Sequence, residues 1–171
     1  IQLQTLPVLS NAFTNFIGLA ATGTGKTAAF GIPLIDRIDP SIKAVQGLIL
    51  CPTRELALQV SGQIDLLGKY CDIKSVAIYG GASYSDQIRS IKKGASIVVG
   101  TPGRLVDHLT RGTLDLKDVR TVILDEADEM ISMGFKEDLE TILNASSRDL
   151  TQTWLFSATM SREVRRVADT Y

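Results

Sequence analysis

The chain has 171 residues, of which 44% are hydrophobic and 22% charged, a composition that excludes a disordered chain and is typical of a soluble globular domain. Its 18 basic and 19 acidic residues give a net charge of −1, which excludes bulk electrostatic attraction to nucleic acid and requires localised contacts for any such ligand. No apolar run approaches the roughly 18 residues that a membrane helix needs, so we expect no membrane association.

Short apolar runs alternate with longer amphipathic stretches along the whole chain. The runs predict strands at residues 16–19, 47–51, 75–79, 96–99, 121–124 and 153–156, and the amphipathic stretches predict helices that include residues 54–69, 85–93 and 161–170. Because the strands are apolar almost throughout, we expect helices to cover both faces of their sheet. This alternation predicts a doubly wound, mainly parallel α/β fold, in which ligands bind in the loops at the carboxyl ends of the strands.

The chain has two cysteines and one histidine, and none of them predicts a reactive site. Cys51 follows an apolar run and is expected in the core, and neither it nor Cys71 fits a metal or disulfide spacing. This cysteine usage favours a reducing, cytoplasmic location. His108 falls within a stretch that is typical of a helix, and we expect it to be a solvated residue on the face of that helix.

Residues 20–27, with the sequence AATGTGKT, connect the first predicted strand to the following helix, and we call them the glycine loop. Glycines here allow backbone N–H groups to point inward at a helix N-terminus, an arrangement that binds phosphate. Lys26 would reach the β- and γ-phosphates, and the Thr27 hydroxyl would bind Mg²⁺. The candidate nucleotide-binding residues of the loop are Thr22, Gly23, Thr24, Gly25, Lys26 and Thr27. The alternative is a turn followed by a surface lysine, and Ala20 stands where the strict pattern has glycine.

The predicted strand at residues 121–124 runs directly into an acidic segment that contains Asp125, Glu126 and Asp128. Carboxylates at this position fit a Mg²⁺-ATP site, in which Asp125 would hold the metal and Glu126 would orient or deprotonate the attacking water. Asp128 is better placed for contacts inside the protein. The alternative is that the carboxylates only cap the next helix, whose N-terminus favours negative charge. Together with the glycine loop, the segment predicts a catalytic set of Lys26, Asp125 and Glu126.

Residues 125–128 spell Asp-Glu-Ala-Asp, the signature that names the DEAD-box RNA helicases, and the chain resembles that family over nearly its whole length. The glycine loop resembles motif I, in which alanine at the first position is normal, although Ala21 replaces a common glutamine. Gln2 resembles the end of the Q motif, whose glutamine reads adenine. The other matches are residues 52–57 to motif Ia, residues 80–81 to the glycine pair, residues 101–104 to motif Ib and residues 157–159 to motif III.

This resemblance implies that residues 1–171 form a single RecA-like domain, a three-layer α/β/α P-loop NTPase that is the ATP-binding half of an RNA helicase. It implies ATP and Mg²⁺ as cofactors, and RNA-stimulated ATP hydrolysis with local duplex unwinding in the full-length protein. The motifs of the family's second RecA-like domain, which carries an arginine finger, are not found in this sequence. We therefore expect a monomeric fragment of weak activity, because a missing arginine finger costs about 10³–10⁵ in rate.

The resemblance assigns RNA contacts to Pro52, Thr53, Arg54, Gly81, Thr101, Pro102, Gly103 and Arg104, and the coupling of ATP and RNA sites to Asp128, Ser157 and Thr159. The residues support the RNA contacts, since Thr53 and Thr101 stand where strands give way to helices, and free N–H groups at such ends bind phosphate. Such contacts would read the backbone of a single RNA strand rather than its base sequence. The alternatives are that Arg54 and Arg104 only pair with nearby carboxylates, and that the serine and threonine of motif III are helix caps.

Three other functions fit part of the sequence. A DNA-directed helicase of the same superfamily shares most of the motifs, but Asp128 and the wording of motif Ia favour RNA. A nucleotide-dependent RNA clamp or scaffold without catalysis would not need an intact catalytic set. A P-loop kinase or GTPase explains neither the glycine pair nor motif Ib.

Overall fold

The structure, a computed structural model, describes residues 1–21, 23–147 and 150–171. Within these ranges six parallel strands form one sheet in the order β1-β6-β5-β2-β4-β3. The strands are β1 Phe16–Leu19, β2 Gly47–Leu50, β3 Ser75–Ile78, β4 Ile97–Gly100, β5 Thr121–Leu124 and β6 Gln152–Ser157. The helices are α1 Gln2–Asn11, α2 Lys26–Asp36, α3 Arg54–Leu67, α4 Tyr84–Lys92, α5 Pro102–Thr110, α6 Ala127–Ser132, α7 Lys136–Ala145 and α8 Arg162–Thr170.

The predicted alternation of strands and helices is confirmed. Each of the six predicted strands is present with its ends within one residue of the predicted ones. The prediction of a mainly parallel sheet is also confirmed, because the neighbouring strands pair in parallel throughout the described ranges. The sequence did not predict helix α1, which begins at Gln2 and contains Pro7.

The apolar strands separate two cores, one on each face of the sheet. Leu48 and Leu50 of β2 pack with α5, α6, α7 and α8, whereas Ile49, between them, packs with α1, α2 and α3. Successive residues of a strand point to opposite faces, so a strand buried on both sides has no polar positions. The three-layer α/β/α arrangement is therefore confirmed, and the continuous apolar runs are its cause.

Backbone hydrogen bonds continue past the ends of the strands and align the loops that follow them. The N–H of Asp125 donates to the Leu50 carbonyl at 2.9 Å, and the N–H of Ala20 donates to the Ser157 carbonyl at 3.0 Å. The N–H of Thr101 likewise donates to the carbonyl of Ile78 at 3.0 Å. These bonds bring the segments after β1, β4 and β5 to one edge of the sheet, the edge where parallel α/β folds bind ligands.

Several helices begin at residues whose side chains cap them. Thr53 Oγ1 accepts from the N–H of Leu56 at 3.2 Å, and Ser161 Oγ accepts from the N–H of Val164 at 3.2 Å. Helix α5 begins with Pro102, which needs no hydrogen-bond partner for its nitrogen at this position. In the part of the chain that the structure describes, no helix has both the length and the apolar composition required to span a bilayer.

The expectation that His108 is solvated was wrong, because its side chain is completely buried. It lies on the face of α5 that packs against Tyr84 of α4, whose ring stacks on the imidazole at a centroid distance of 4.2 Å. Both ring nitrogens have polar neighbours, Gln87 at 3.0 Å and Thr113 at 2.9 Å, so burial leaves neither nitrogen unpaired. The sequence of one helix could not show that another helix covers this face.

Candidate functional site

The glycine loop turns from β1 into α2 through two glycines with positive φ. Gly23 and Gly25 have φ of 79° and 84°, in the left-handed region that residues with a Cβ rarely adopt. Gly25 is also the residue immediately before α2. The unbonded N–H groups of the first turn of α2 therefore lie at the loop, where they and the helix dipole favour an anion.

Helix α1 places Gln2 directly against the glycine loop. The Gln2 amide Nε2 donates to the Gly25 carbonyl at 3.2 Å, and a Cβ added to Gly25 would lie only 2.5 Å from the same nitrogen. Thr24 Oγ1 donates to the Ala21 carbonyl at 2.7 Å and so closes the turn. The predicted contact at Thr22 lies outside the described residues. Gln2, predicted from its resemblance to the end of the Q motif, is thus adjacent to the other candidate nucleotide-binding residues.

Lys26 lies close to two of the carboxylates of the acidic segment, those of Asp125 and Glu126. Its Nζ is 3.6 Å from Oδ1 of Asp125 and 4.0 Å from Oε1 of Glu126. Lys26 and Asp125 are 6% and 2% exposed, so the pair is almost removed from water. Glu126 has a φ of 55° and sits in the turn between β5 and α6. A left-handed residue with a side chain costs about 1–2 kcal/mol, and such strain clusters at functional sites.

The buried pair of Lys26 and Asp125 is not fully satisfied by the described residues. Lys26 Nζ and Asp125 Oδ1 have no hydrogen-bond partner among the described residues. The two atoms are 3.6 Å apart, which is close enough for an ion pair but too far for a hydrogen bond. Burial raises the pKa of Asp125 to about 6, with the charge of Glu126 adding to the rise and Lys26 opposing it. Buried charges without hydrogen bonds are costly, which indicates that these groups are arranged for a ligand.

Cys51 lies close to the acidic segment but has no reactive character. Burial, followed by the charges of Asp125 and Glu126, raises the pKa of the Cys51 thiol well above its ordinary value. The side chain is completely buried in the core on the α3 side of the sheet. The expectation that Cys51 is a core residue is confirmed, and the thiol stays protonated at neutral pH.

A cleft of about 510 Å³ opens beside the lysine and the carboxylates. Its polar side is formed by the glycine loop and the acidic segment, through Gly23, Gly25, Lys26, Thr27, Asp125 and Glu126. Its other wall is helix α3, which contributes Leu56, Gln59, Gln63, Leu66 and Leu67. The sequence did not predict this wall. The apolar pattern of α3 places Leu56, Val60, Ile64 and Leu67 on one face. Val60 and Ile64 are buried in the core, whereas Leu56 and Leu67 line the cleft, and the pattern gave no signal for this difference.

Asp128 connects the acidic segment to the segment after β6. Its Oδ2 accepts from both the N–H and the hydroxyl of Thr159, at 2.9 and 2.8 Å. The Ser157 hydroxyl accepts from the N–H of Asp128 at 3.3 Å and donates to the Thr159 carbonyl at 2.7 Å. Burial would raise the pKa of Asp128, but the hydrogen bonds from Thr159 outweigh it and lower the pKa. The three residues therefore form one hydrogen-bonded unit.

The segments 52–54, 80–82 and 101–104, which we call the rim, follow β2, β3 and β4, and they include the first residue of α3 and the first turn of α5. Arg54 is exposed, and its guanidinium lies 5.1 Å from the centroid of the Tyr79 ring. Gly81 is exposed with a φ of 81°, and an added Cβ would meet no atom within 4 Å. Of the remaining predicted contacts, Pro52 and Pro102 are buried, and Thr53, Thr101 and Gly103 are half-buried.

Arg104 makes contacts within the protein rather than extending into solvent. Its side chain is 15% exposed, and NH1 donates to the Ala82 carbonyl at 3.2 Å and to Gln87 Oε1 at 3.1 Å. An ion pair with Asp107 at 4.0 Å fits the alternative interpretation of this arginine. Arg104 thus joins helix α5 to the segment 80–82, and the exposed guanidinium of Arg54 is better placed to meet a ligand.

Comparison with known proteins places this arrangement in a family. The DEAD/DEAH box helicase model matches residues 1–167. The chain is 51% identical over 173 residues to the DEAD-box ATP-dependent RNA helicase CshA of Bacillus subtilis, a match that covers 100% of this chain and 34% of that protein. The chain spans about a third of the length of the curated relatives that it matches.

Solved structures of related proteins have the same fold. A DEAD box protein from Methanococcus jannaschii matches 99% of this chain and 46% of its own chain, with a TM-score of 0.95 and 48% identity. The S. cerevisiae protein Dbp5, solved with Nup159, Gle1, IP6 and ADP, matches 99% of this chain and 44% of its own, with a TM-score of 0.87 and 34% identity. The RecA-like fold is confirmed, and the chain belongs to the DEAD/DEAH box helicase family.

Proposed function

We propose that this chain binds Mg²⁺-ATP in the cleft beside the glycine loop and, within a full-length RNA helicase, uses ATP hydrolysis to remodel RNA. The observation that carries the proposal is the convergence of buried Lys26 on Asp125 and Glu126 next to a helix N-terminus. The name of the Bacillus subtilis relative supports ATP and RNA as ligands, and ADP in the Dbp5 complex supports a nucleotide. Because the chain spans about a third of its relatives, helicase activity is proposed for the whole protein.

The residues of the cleft and the neighbouring Gln2 have distinct roles in this proposal. N–H groups of the glycine loop and of the first turn of α2 bind phosphate oxygens, and Lys26 supplies positive charge at the β- and γ-phosphates. Glu126 orients the attacking water and accepts its proton. Gln2, held beside Gly25, reads the base. Catalysis then depends on positioned charge around the γ-phosphate rather than on a covalent intermediate.

The donor set of the cleft fits Mg²⁺. Mg²⁺ prefers oxygen ligands and is usually bound through one or two carboxylates together with water and substrate phosphates. Asp125 offers a buried carboxylate oxygen that has no hydrogen-bond partner among the described residues, and the Thr27 hydroxyl lines the same cleft. No group of three His, Cys, Asp or Glu side chains in the described ranges could hold a metal alone. When bound, Mg²⁺ neutralises charge on the phosphates, and Asp125 and Thr27 would hold it.

The rim provides the proposed RNA site. It combines helix N-termini after β2 and β4, the exposed guanidinium of Arg54 and the exposed backbone of Gly81. N–H groups and an arginine bind phosphates regardless of base sequence, and this mode needs no excess of basic residues in the chain. The hydrogen-bonded unit of Asp128, Ser157 and Thr159 joins the start of α6 to the end of strand β6 and would couple the two sites.

The proposal also assigns different roles to the two domains of the full-length protein. Residues 1–171 would act as one RecA-like domain, a monomer on its own, and the full-length protein would add a second RecA-like domain with an arginine finger. Since an arginine finger contributes about 10³–10⁵ in rate, the 171-residue chain would bind nucleotide but hydrolyse it slowly. Closure of two such domains on ATP and RNA would bend the RNA strand and separate a short duplex.

The test is the RNA-stimulated ATPase of the full-length gene product with Glu126→Gln. This substitution keeps the size of the side chain and removes the base, so ATPase activity should fall by about 10²–10⁴ while ATP and RNA remain bound. Glu129→Gln, which changes an exposed glutamate of the adjoining helix α6, is the matched control and should have no effect. Equal activity in the two variants would contradict the proposal and favour a scaffold. Stronger stimulation of the unmodified protein by DNA than by RNA would favour a DNA-directed helicase.

A further inference from the structure

A network of buried side chains joins helix α4 to helix α5 through His108. His108 Nε2 lies 3.0 Å from Gln87 Oε1, and Nδ1 lies 2.9 Å from Thr113 Oγ1. The Tyr84 ring stacks on the imidazole with an angle of 7° between the planes. His108 is completely buried and Gln87 is 5% exposed. Contacts in the ring plane and above it therefore fix the orientation of the imidazole.

The hydrogen bonds of Gln87 show which nitrogen of the His108 imidazole carries the proton. Gln87 Nε2 donates to the Tyr79 carbonyl at 2.9 Å, so Oε1 is the acceptor of this amide. Oε1 accepts from Arg104 NH1 at 3.1 Å and can bond His108 only if Nε2 carries a hydrogen. Burial and then Arg104 lower the pKa of His108, with Asp107 opposing, so the ring is neutral at pH 7.

This network ends at the rim. Arg104, which Gln87 Oε1 holds, also donates to the carbonyl of Ala82, the residue after Gly81. Gln87 holds the carbonyl of Tyr79, just before the glycine pair. The segment 79–82 is thus fixed on both sides, to α4 through Gln87 and to α5 through Arg104.

We infer that Gln87 and His108 are positioning residues for RNA binding, which hold the segment 80–82 in register with the N-terminus of α5. The inference rests on the proposed function and extends it to two residues that lie outside the rim and do not contact RNA themselves. Two segments that are already fixed relative to each other lose less conformational freedom when RNA binds, and this preorganisation increases affinity.

A glutamine elsewhere in the fold offers a matched comparison. Gln46 is 6% exposed, and like Gln87 it uses both ends of its amide within the protein, accepting from the Asp39 N–H at 2.9 Å and donating to the Asp39 carbonyl at 2.8 Å. It directly precedes β2 and so lies at the opposite edge of the sheet from the rim. Gln46→Met and Gln87→Met therefore remove similar buried hydrogen bonds, but only the second affects the rim.

The experiment measures the ATPase of the full-length gene product against oligouridine concentration for the unmodified protein, Gln87→Met, His108→Phe and Gln46→Met, with the melting temperature of each. His108→Phe keeps a ring on Tyr84 and removes both polar contacts. Gln87→Met and His108→Phe should raise the half-saturating RNA concentration by about threefold or more, with a much smaller change in KM for ATP. Gln46→Met should lower the melting temperature but leave the RNA dependence unchanged.

The possible results separate failure of the proposed function from failure of the inference about Gln87 and His108. Absence of RNA stimulation in the unmodified protein would overturn the proposed function and this inference with it. RNA stimulation in the unmodified protein, combined with an unchanged half-saturating RNA concentration in both rim-linked variants, would overturn the inference alone. A rise of equal size in Gln46→Met would also overturn it, because the effect would then follow from lost stability. If either Gln87→Met or His108→Phe does not fold, the half-saturating RNA concentration of the other variant tests the inference.

Discussion

The ammonium group of Lys26 lies 3.6 Å from the carboxylate of Asp125, although one residue begins helix α2 and the other follows strand β5. Strand β5 and strand β1 are separated in the sheet only by β6, so the loops that follow them meet at one edge. This relationship brings together two segments that are distant in the chain, and the proposed nucleotide site depends on it.

The conformation of Gly25 predicts that Gly25→Ala destabilises the protein and weakens nucleotide binding. Alanine disfavours a φ of 84°, and its Cβ would lie 2.5 Å from the Gln2 amide. Left-handed strain alone costs about 1–2 kcal/mol. Gly62→Ala, at an exposed position of α3 with open space around the Cβ, should instead stabilise by about 1 kcal/mol. Urea unfolding of both variants measures whether the free energy of unfolding falls in Gly25→Ala and rises in Gly62→Ala. A Gly25→Ala variant more stable than the unmodified protein would contradict the geometry of the loop.

The burial of His108 predicts a loss of stability in acid. Since its pKa is lowered in the folded state, the unfolded state binds more protons as the pH falls below about 6.5, and the free energy of unfolding decreases there. The charged and titratable groups that face the ring are Tyr84, Arg104, Asp107 and Arg111. The difference in unfolding free energy between the unmodified protein and His108→Phe should shrink as the pH falls.

The comparison with His108→Phe is needed because the contribution of Asp125 to stability changes with pH in the opposite direction from that of His108. Its pKa of about 6 lies above the ordinary value, so it contributes stability in acid that is lost as the pH rises towards 6 and beyond. Asp125 is present in both proteins, and its contribution cancels in the difference. A difference that stays constant with pH would show that His108 is not buried as a neutral ring.

The paired hydrogen bonds of Asp128 and Thr159 predict an energetic coupling between these residues. A double-mutant cycle with Asp128→Asn and Thr159→Val, based on free energies of unfolding, should give a coupling energy of about 1 kcal/mol. Thr141→Val is the control, because the Thr141 hydroxyl donates to the Glu137 carbonyl of its own helix. A coupling energy near zero would mean that the segment after β6 is not held by the acidic segment.

The exposed guanidinium of Arg54 predicts a phosphate contact. Arg54→Ala should weaken binding of single-stranded RNA by a similar factor for different sequences and reduce the slope of log affinity against log salt by about 1. Arg166→Ala, which removes another exposed arginine on helix α8, is the control. Fluorescence anisotropy of labelled RNA in the full-length gene product measures both quantities. A loss that depended on sequence would indicate base contacts instead.

The sequence predicted the polar side of the cleft because its residues directly follow strands, and parallel strands end at one edge. It did not predict the cleft wall formed by Gln59, Gln63 and Leu66, since a helical pattern separates core from surface but does not say what the surface faces. Helix α1 was missed because little of it is buried. Its position depends on Arg37, the residue that follows helix α2, which donates to the Leu9 and Ala12 carbonyls.

Calorimetric titration of Mg²⁺-ATP into the unmodified chain and into Lys26→Ala tests the central claim most directly. The substitution removes the cation that faces the proposed phosphates and leaves Asp125 buried without its partner. Binding to the unmodified chain, with an affinity at least about tenfold lower in Lys26→Ala, is the expected result. Equal affinity in the two proteins would contradict a nucleotide site formed by Lys26, Asp125 and Glu126.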